Sequence, residues 1–161
     1  MKNSSDLFFS APKTGQLSLP VFYQEEIEEV IKTGKYNRVN PKIKTANFAV
    51  NSKLLNKEIK YEAKLFCFNR LLYSEELNLL LAKLGFKSAG LRELLHFNAG
   101  FPIQRGLSVI ALGDVLIVSS KEMFVPGIFK DYKGRSDLEL YRYEGIWPSS
   151  CRFLGLRESD S

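Results

Sequence analysis

General acid–base chemistry needs carboxyl groups brought together in unlike surroundings. The β-like second half of the chain supplies five candidates: Asp114, Glu122, Asp131, Asp137 and Glu139. Asp131 and Asp137 stand where turns ordinarily use Asp. None of the five lies in a recognisable motif, so an enzyme would need its carboxylates clustered by the fold alone. The single histidine, His96, follows Glu93 by three residues in a helical pattern, so the two could share a face. A catalytic metal takes about three protein ligands. One His and two Cys do not furnish them without borrowed carboxylates. The sequence has no phosphate-binding glycine loop of the GxGxxG or GxxxxGK[ST] kind, no GxSxG elbow and no HExxH helix. No catalytic residue, metal or cofactor is therefore assigned.

Two further groups of residues could bind rather than react. Residues 32–64 hold nine basic residues against Glu58 and Glu62, although the whole chain carries a net charge of only +5. Lys42, Lys44, Lys53, Lys57, Lys60 and Lys64 of that segment could neutralise phosphates of a nucleic acid, or simply form a solvated face. Near the C-terminus, Tyr132, Tyr141, Tyr143, Trp147 and Phe153 interleave with Lys133, Arg135, Arg142 and Arg152. Aromatic and arginine side chains together can stack on bases, sugars or peptide groups. Arg135, Tyr141, Tyr143 and Trp147 are the candidate ligand-binding set, with Trp147 as its anchor.

These groups must be positioned by a chain of 161 residues with 45% apolar and 25% charged residues, which suits one globular domain. No apolar run approaches the length of a membrane span, and no secretory leader is visible. A cytoplasmic location is expected, with Cys67 and Cys151 reduced, although a disulfide between them is the alternative for an exported chain.

Residues 1–19 read as an extended or mobile arm in which Leu7-Phe8-Phe9 could dock on the body. Residues 20–158 read as a single domain, and 159–161 as a polar tail. Ile27, Val30 and Ile31 predict a short helix ended by Gly34. Lys44–Val50 and Lys60–Phe68 read as strands, and the first would permit dimerisation by strand addition. Ser74 is the expected cap of a helix carrying Leu77, Leu80, Leu81 and Leu84, stopped by Gly85. Ser88 is the expected cap of a second helix carrying Leu91, Leu94, Leu95 and Phe97. This pair has helix-turn-helix lengths, but a leucine-rich second helix offers few donors to base edges. Leu107–Leu112, Val115–Val118, Glu122–Val125, Leu138–Tyr143 and Arg152–Arg157 predict strands, with a turn or bulge at Gly113-Asp114 and a break at Pro126-Gly127. The order predicts an α+β fold: two consecutive helices packed on a mostly antiparallel, twisted sheet of short strands.

From about Tyr61 to Glu158 the run KLFCFNRLLYSEELNLLLAKLGFKSAGLRELLHF, then FP, SVIALGDV, FVP, LELYRYEGIW and CRFLGLRE, resembles a family of small uncharacterised proteins common in candidate-phyla bacteria with reduced genomes. The resemblance implies a fold and no activity. Val115 or Leu116 stands near the tryptophan usual in that family, and residues 1–60 lie outside the match. Gly85–Glu93, Gly113–Val115 and Arg152–Arg157 are also similar to the C-type-lectin-like fold of sulfatase-modifying and phage receptor-binding domains. That similarity implies a ligand surface on the loops between Ser119 and Ser150. The catalytic cysteines of the sulfatase-modifying enzymes have no counterpart here.

The leading expectation is a non-enzymatic module binding a protein or glycan through residues 119–152. The alternative is a nucleic-acid-associated protein using residues 32–64.

Overall fold

The computed structural model describes residues 7–9, 17–24 and 26–159, the first three by backbone alone. Among these are three helices and one mixed sheet of ten strands, an α+β fold. The sheet is organised around β4 (Glu58–Phe68) and β10 (Cys151–Glu158), which pair antiparallel from Tyr61↔Glu158 to Phe66↔Phe153. Beyond β4 lie β1 (Leu7–Phe9) and β2 (Leu17–Phe22). Beyond β10 follow β6 (Ser108–Ile110), β8 (Glu122–Lys130), β9 (Ser136–Arg142) and the two-residue β3 (Arg38–Val39). β5 (Lys87–Ser88) also pairs with β10, and β7 (Leu116–Ser119) with β8. The β10–β6 and β3–β9 pairings are parallel; the rest are antiparallel.

Strand alternation sends successive side chains to opposite faces, and both faces are covered. Leu17, Leu19, Val21, Tyr61, Ala63, Leu154 and Leu156 meet α1 (Ile27–Thr33) and α3 (Leu91–Gly100) on one face. Phe66, Phe68, Ile110 and Phe153 meet α2 (Ser74–Lys83) on the other. The consecutive helices α2 and α3 therefore lie on opposite faces, and the chain crosses between them at β5. Cys67 alternates with Phe66 and Phe68, whereas Cys151 packs in the core of those two phenylalanines. The two sulfurs thus belong to opposite faces, and no disulfide joins them. Burial pushes the Cys151 thiol up to about 11, which suits a packing residue rather than a nucleophile.

Several expectations are corrected. Lys44–Val50 is not a strand but a turn, in which the Phe48 N–H reaches the carbonyls of Lys44 and Thr45 while Phe48 itself is buried. Strand addition at that segment therefore has no edge to use. The arm boundary at residue 19 falls inside β2, because Leu17, Leu19 and Val21 alternate inward against β4. Residues 1–6 and 10–16 of the arm lie outside the described residues, as does most of the polar tail. Ser74 is the first helical residue rather than the cap. Its hydroxyl donates to the Tyr143 carbonyl at 2.6 Å and accepts the Trp147 indole N–H at 2.8 Å. Ser88 is a strand residue whose hydroxyl bonds Asn78 of α2. Pro126-Gly127 does not break its strand; β8 runs through it, with the Pro126 carbonyl accepting the Ala111 N–H.

Candidate functional site

Gly90 precedes α3, and Asp114 follows β6, so the α1/α3 face brings together groups distant in sequence. The Leu91 N–H donates to Asp114 Oδ2 at 2.7 Å, and the Gly90 N–H donates to Glu93 Oε1 at 2.8 Å. Two carboxyl groups thus take consecutive donors at the start of α3, where unpaired N–H groups and the helix dipole favour them. A Cβ on Gly90 would lie 2.3 Å from Asp114 Oδ2, which is why that position carries no side chain.

Two buried tyrosines lie behind these groups, Tyr23 reaching the cleft and Tyr61 bonded to Tyr23. The hydroxyls of Tyr23, just after β2, and Tyr61, on β4, are 2.7 Å apart. Burial raises the Tyr23 ionisation far above its usual range, and the charge of nearby Glu93 pushes it further. Burial also raises the Glu93 carboxyl, aided by Asp114 and opposed by the Gly90 N–H and Lys87. Lys87 of β5 extends over the Tyr61 ring, its ammonium 5.1 Å from the centroid. Arg92 is only 6% exposed, and its Nε and Nη1 have no hydrogen-bond partner among the described residues. Tyr23, Lys87, Arg92, Glu93 and Asp114 line a cleft of about 250 Å³, together with the apolar Phe48, Val50, Leu54 and Leu91.

Gly113 lines the cleft where the chain packs closely on Ser88 and Ala89. Its N–H donates to the Ala89 carbonyl, and an added Cβ would lie 2.5 Å from the Ser88 carbonyl oxygen and 2.7 Å from that of Ala89. These are backbone atoms and cannot rotate away. Gly113→Ala is therefore expected to cost about 1–3 kcal/mol and to draw Asp114 off the Leu91 N–H. A denaturation midpoint unchanged from the parent would refute this tight packing.

The raised Glu93 carboxyl sets a pH dependence. The native state holds its proton to higher pH than the unfolded chain does, so stability falls as pH rises from the unfolded value near 4 through the raised native value. Glu93→Gln keeps an acceptor for the Gly90 N–H and removes the titration. Its stability relative to the parent should therefore increase between pH 4 and pH 7. Parallel pH profiles of parent and variant would show that Glu93 ionises normally.

The residues singled out from sequence are distributed differently. Trp147 is 7% exposed, edge-on to Phe153 at 5.7 Å, and belongs to the core above α2, so it presents no stacking face to a ligand. Tyr141 is half-buried against Trp147, and the Tyr143 hydroxyl accepts from Asn78. Arg135 is ion-paired with Asp131 at 3.0 Å in the β8–β9 turn. It lies eight residues, roughly 25 Å of extended chain, from Tyr143. These four do not converge on one site. His96 does not face a metal with Glu93: its Nδ1 donates to the Arg92 carbonyl at 2.8 Å, and its Nε2 accepts the Phe22 N–H at 3.4 Å. That pattern fixes one neutral tautomer and ties α3 to β2. No group of metal-ligating side chains is present among the described residues. Lys42, Lys44, Lys53, Lys57 and Lys60 are exposed, while Lys64 is half-buried, 3.9 Å from Glu62 and over the Phe86 ring. No helix among the described residues is long and apolar enough to cross a membrane.

Of the cleft residues, Glu93 and Asp114 stand out in the sequence as carboxylates, whereas nothing local marks Arg92. Isolated glycines at 90 and 113, where chain approaches chain or side chain, were the only local signal. No protein-family model, curated protein or solved structure matches the chain.

Proposed function

We propose that the protein is a binding module whose ligand site is the cleft at the start of α3, and that its ligand is a small polar molecule. The observation that carries this reading is the convergence of Tyr23, Lys87, Arg92, Glu93 and Asp114, from four separate parts of the chain, on one cleft, with Arg92 Nε and Nη1 buried and without a hydrogen-bond partner among the described residues. A buried polar group without a partner costs free energy, and a ligand that bonds it recovers that cost. Glu93 and Asp114 are both engaged by backbone N–H groups, which favours binding over acid–base catalysis. A lectin-like plan for the body remains part of the proposal. It is supported by the closing strand β10 lying antiparallel to the earlier strand β4, with α2 and α3 between them in sequence.

The test is a thermal-shift survey of the full chain with amino acids, sugars and small carboxylic acids. A ligand at one hundred times its dissociation constant stabilises by about 2.7 kcal/mol, a readily measured rise in melting temperature. The expected result is a rise with one chemical class that Arg92→Met abolishes. No rise with any compound, or an equal rise in the variant, would refute the cleft as the site.

A second reading, nucleic-acid binding, is favoured by the exposure of Lys42, Lys44, Lys53 and Lys57 along one loop, none of them ion-paired among the described residues. It predicts affinity for labelled single-stranded DNA that falls steeply with salt, and that weakens when Lys57, Lys60 and Lys64 become Gln. Absence of binding at low salt would leave these lysines a solvated face.

A further inference from the structure

We infer that the cleft takes a small zwitterion, a free amino acid with an apolar side chain being the simplest, with its carboxylate toward Arg92 and Lys87 and its ammonium toward Asp114. This rests on the cleft being the binding site and adds the class of ligand.

Arg92 supplies the first part of the argument. A guanidinium donates strong, charge-assisted hydrogen bonds to a carboxylate, and here Nε and Nη1 are buried with no hydrogen-bond partner among the described residues. Lys87 brings a second cation to the same cleft. The same cleft is lined by Asp114 and Glu93, each with one oxygen on a backbone N–H, and Glu93 also lies close to the Tyr23 hydroxyl and to Lys87. A lone anion would be attracted by the two cations and repelled by the carboxylates, and a lone cation the reverse. A molecule carrying both charges meets both kinds of group. The cleft, at about 250 Å³, lies below the range of roughly 300–1,000 Å³ usual for drug-sized ligands. Phe48, Val50, Leu54 and Leu91 leave an apolar surface for a hydrocarbon side chain. Because Nε and Nη1 are shielded from water, the guanidinium or the wall formed by residues 48–54 must shift for the carboxylate to reach them.

Titration calorimetry of the full chain with four probes tests this. Leucine carries both charges, N-acetylleucine only the anion, leucinamide only the cation, and glucose neither. The expected result is that leucine binds at least tenfold more tightly than the other three. Arg92→Met and Asp114→Asn, shown folded by circular dichroism, should each weaken leucine at least tenfold. N-acetylleucine or leucinamide binding as tightly as leucine would overturn the zwitterion. Tight binding of glucose that Arg92→Met still weakens would also overturn it while leaving the cleft as the site. If none of the four binds at millimolar concentration, the zwitterion class is overturned, and the wider thermal-shift survey then decides whether the cleft reading falls with it.

Discussion

Trp147→Ala is expected to destabilise the protein by about 3–5 kcal/mol, the usual cost of truncating a buried large aromatic to alanine. The indole is enclosed by Phe153 and Tyr141, with ring centroids 5.7 and 6.2 Å away. Its N–H donates to Ser74 Oγ, which in turn donates to the Tyr143 carbonyl. Removing the ring leaves a cavity above α2 and takes one donor from the hydrogen-bond chain that joins the start of α2 to the end of β9. Against a typical total stability of about 5–15 kcal/mol, such a loss leaves a marginal fold. Chemical denaturation measures it directly. A loss below about 1 kcal/mol would place the indole at the surface and restore it as a candidate ligand contact.

Arg92→Met is expected to act in the opposite direction. With no ligand present, the variant should be more stable than the parent by about 1–3 kcal/mol, the scale of the penalty for a buried polar group without a partner. Methionine keeps much of the aliphatic length that packs beside α1 and removes the charge. The same substitution should abolish the response to ligand. A gain in stability joined to a loss of binding distinguishes a binding arginine from a structural one, whose removal would destabilise. Loss of stability on substitution would mean that the guanidinium is already satisfied in the native protein.

Sequence patterning made the long elements legible. The spacing of Leu77, Leu80 and Leu81, and of Leu91, Leu94, Leu95 and Phe97, gives α2 and α3 with their buried faces, although Leu84 is 38% exposed. The apolar runs at 60–68 and 152–157 give the two central strands. Local signals failed where long-range partners decide. Ser74 and Ser88 have the character of caps, yet their hydroxyls are taken by Tyr143 and Asn78, partners that come from other elements. The run around Phe48 has strand propensity but no neighbouring strand, so it closes as a turn. Trp147 sits among polar and turn residues, and the pairing of Tyr73 with Ile146 and the bonds of Trp147 to Leu72 and Ser74 draw it against α2. The cleft was least legible, because it depends on β5 crossing from one face of the sheet to the other and delivering Gly90, Arg92 and Glu93 beside Asp114.

An NMR titration of the ¹⁵N-labelled full chain with leucine tests most directly whether the cleft is the binding site. The predicted result is a set of amide shifts concentrated at Val50, Asn51, Gly90, Leu91, Gly113 and Asp114, saturating with ligand and absent in Arg92→Met. Shifts centred instead on Arg135 to Tyr143 would contradict it, whereas no shifts at millimolar leucine would overturn the zwitterion and leave the cleft to the thermal-shift survey.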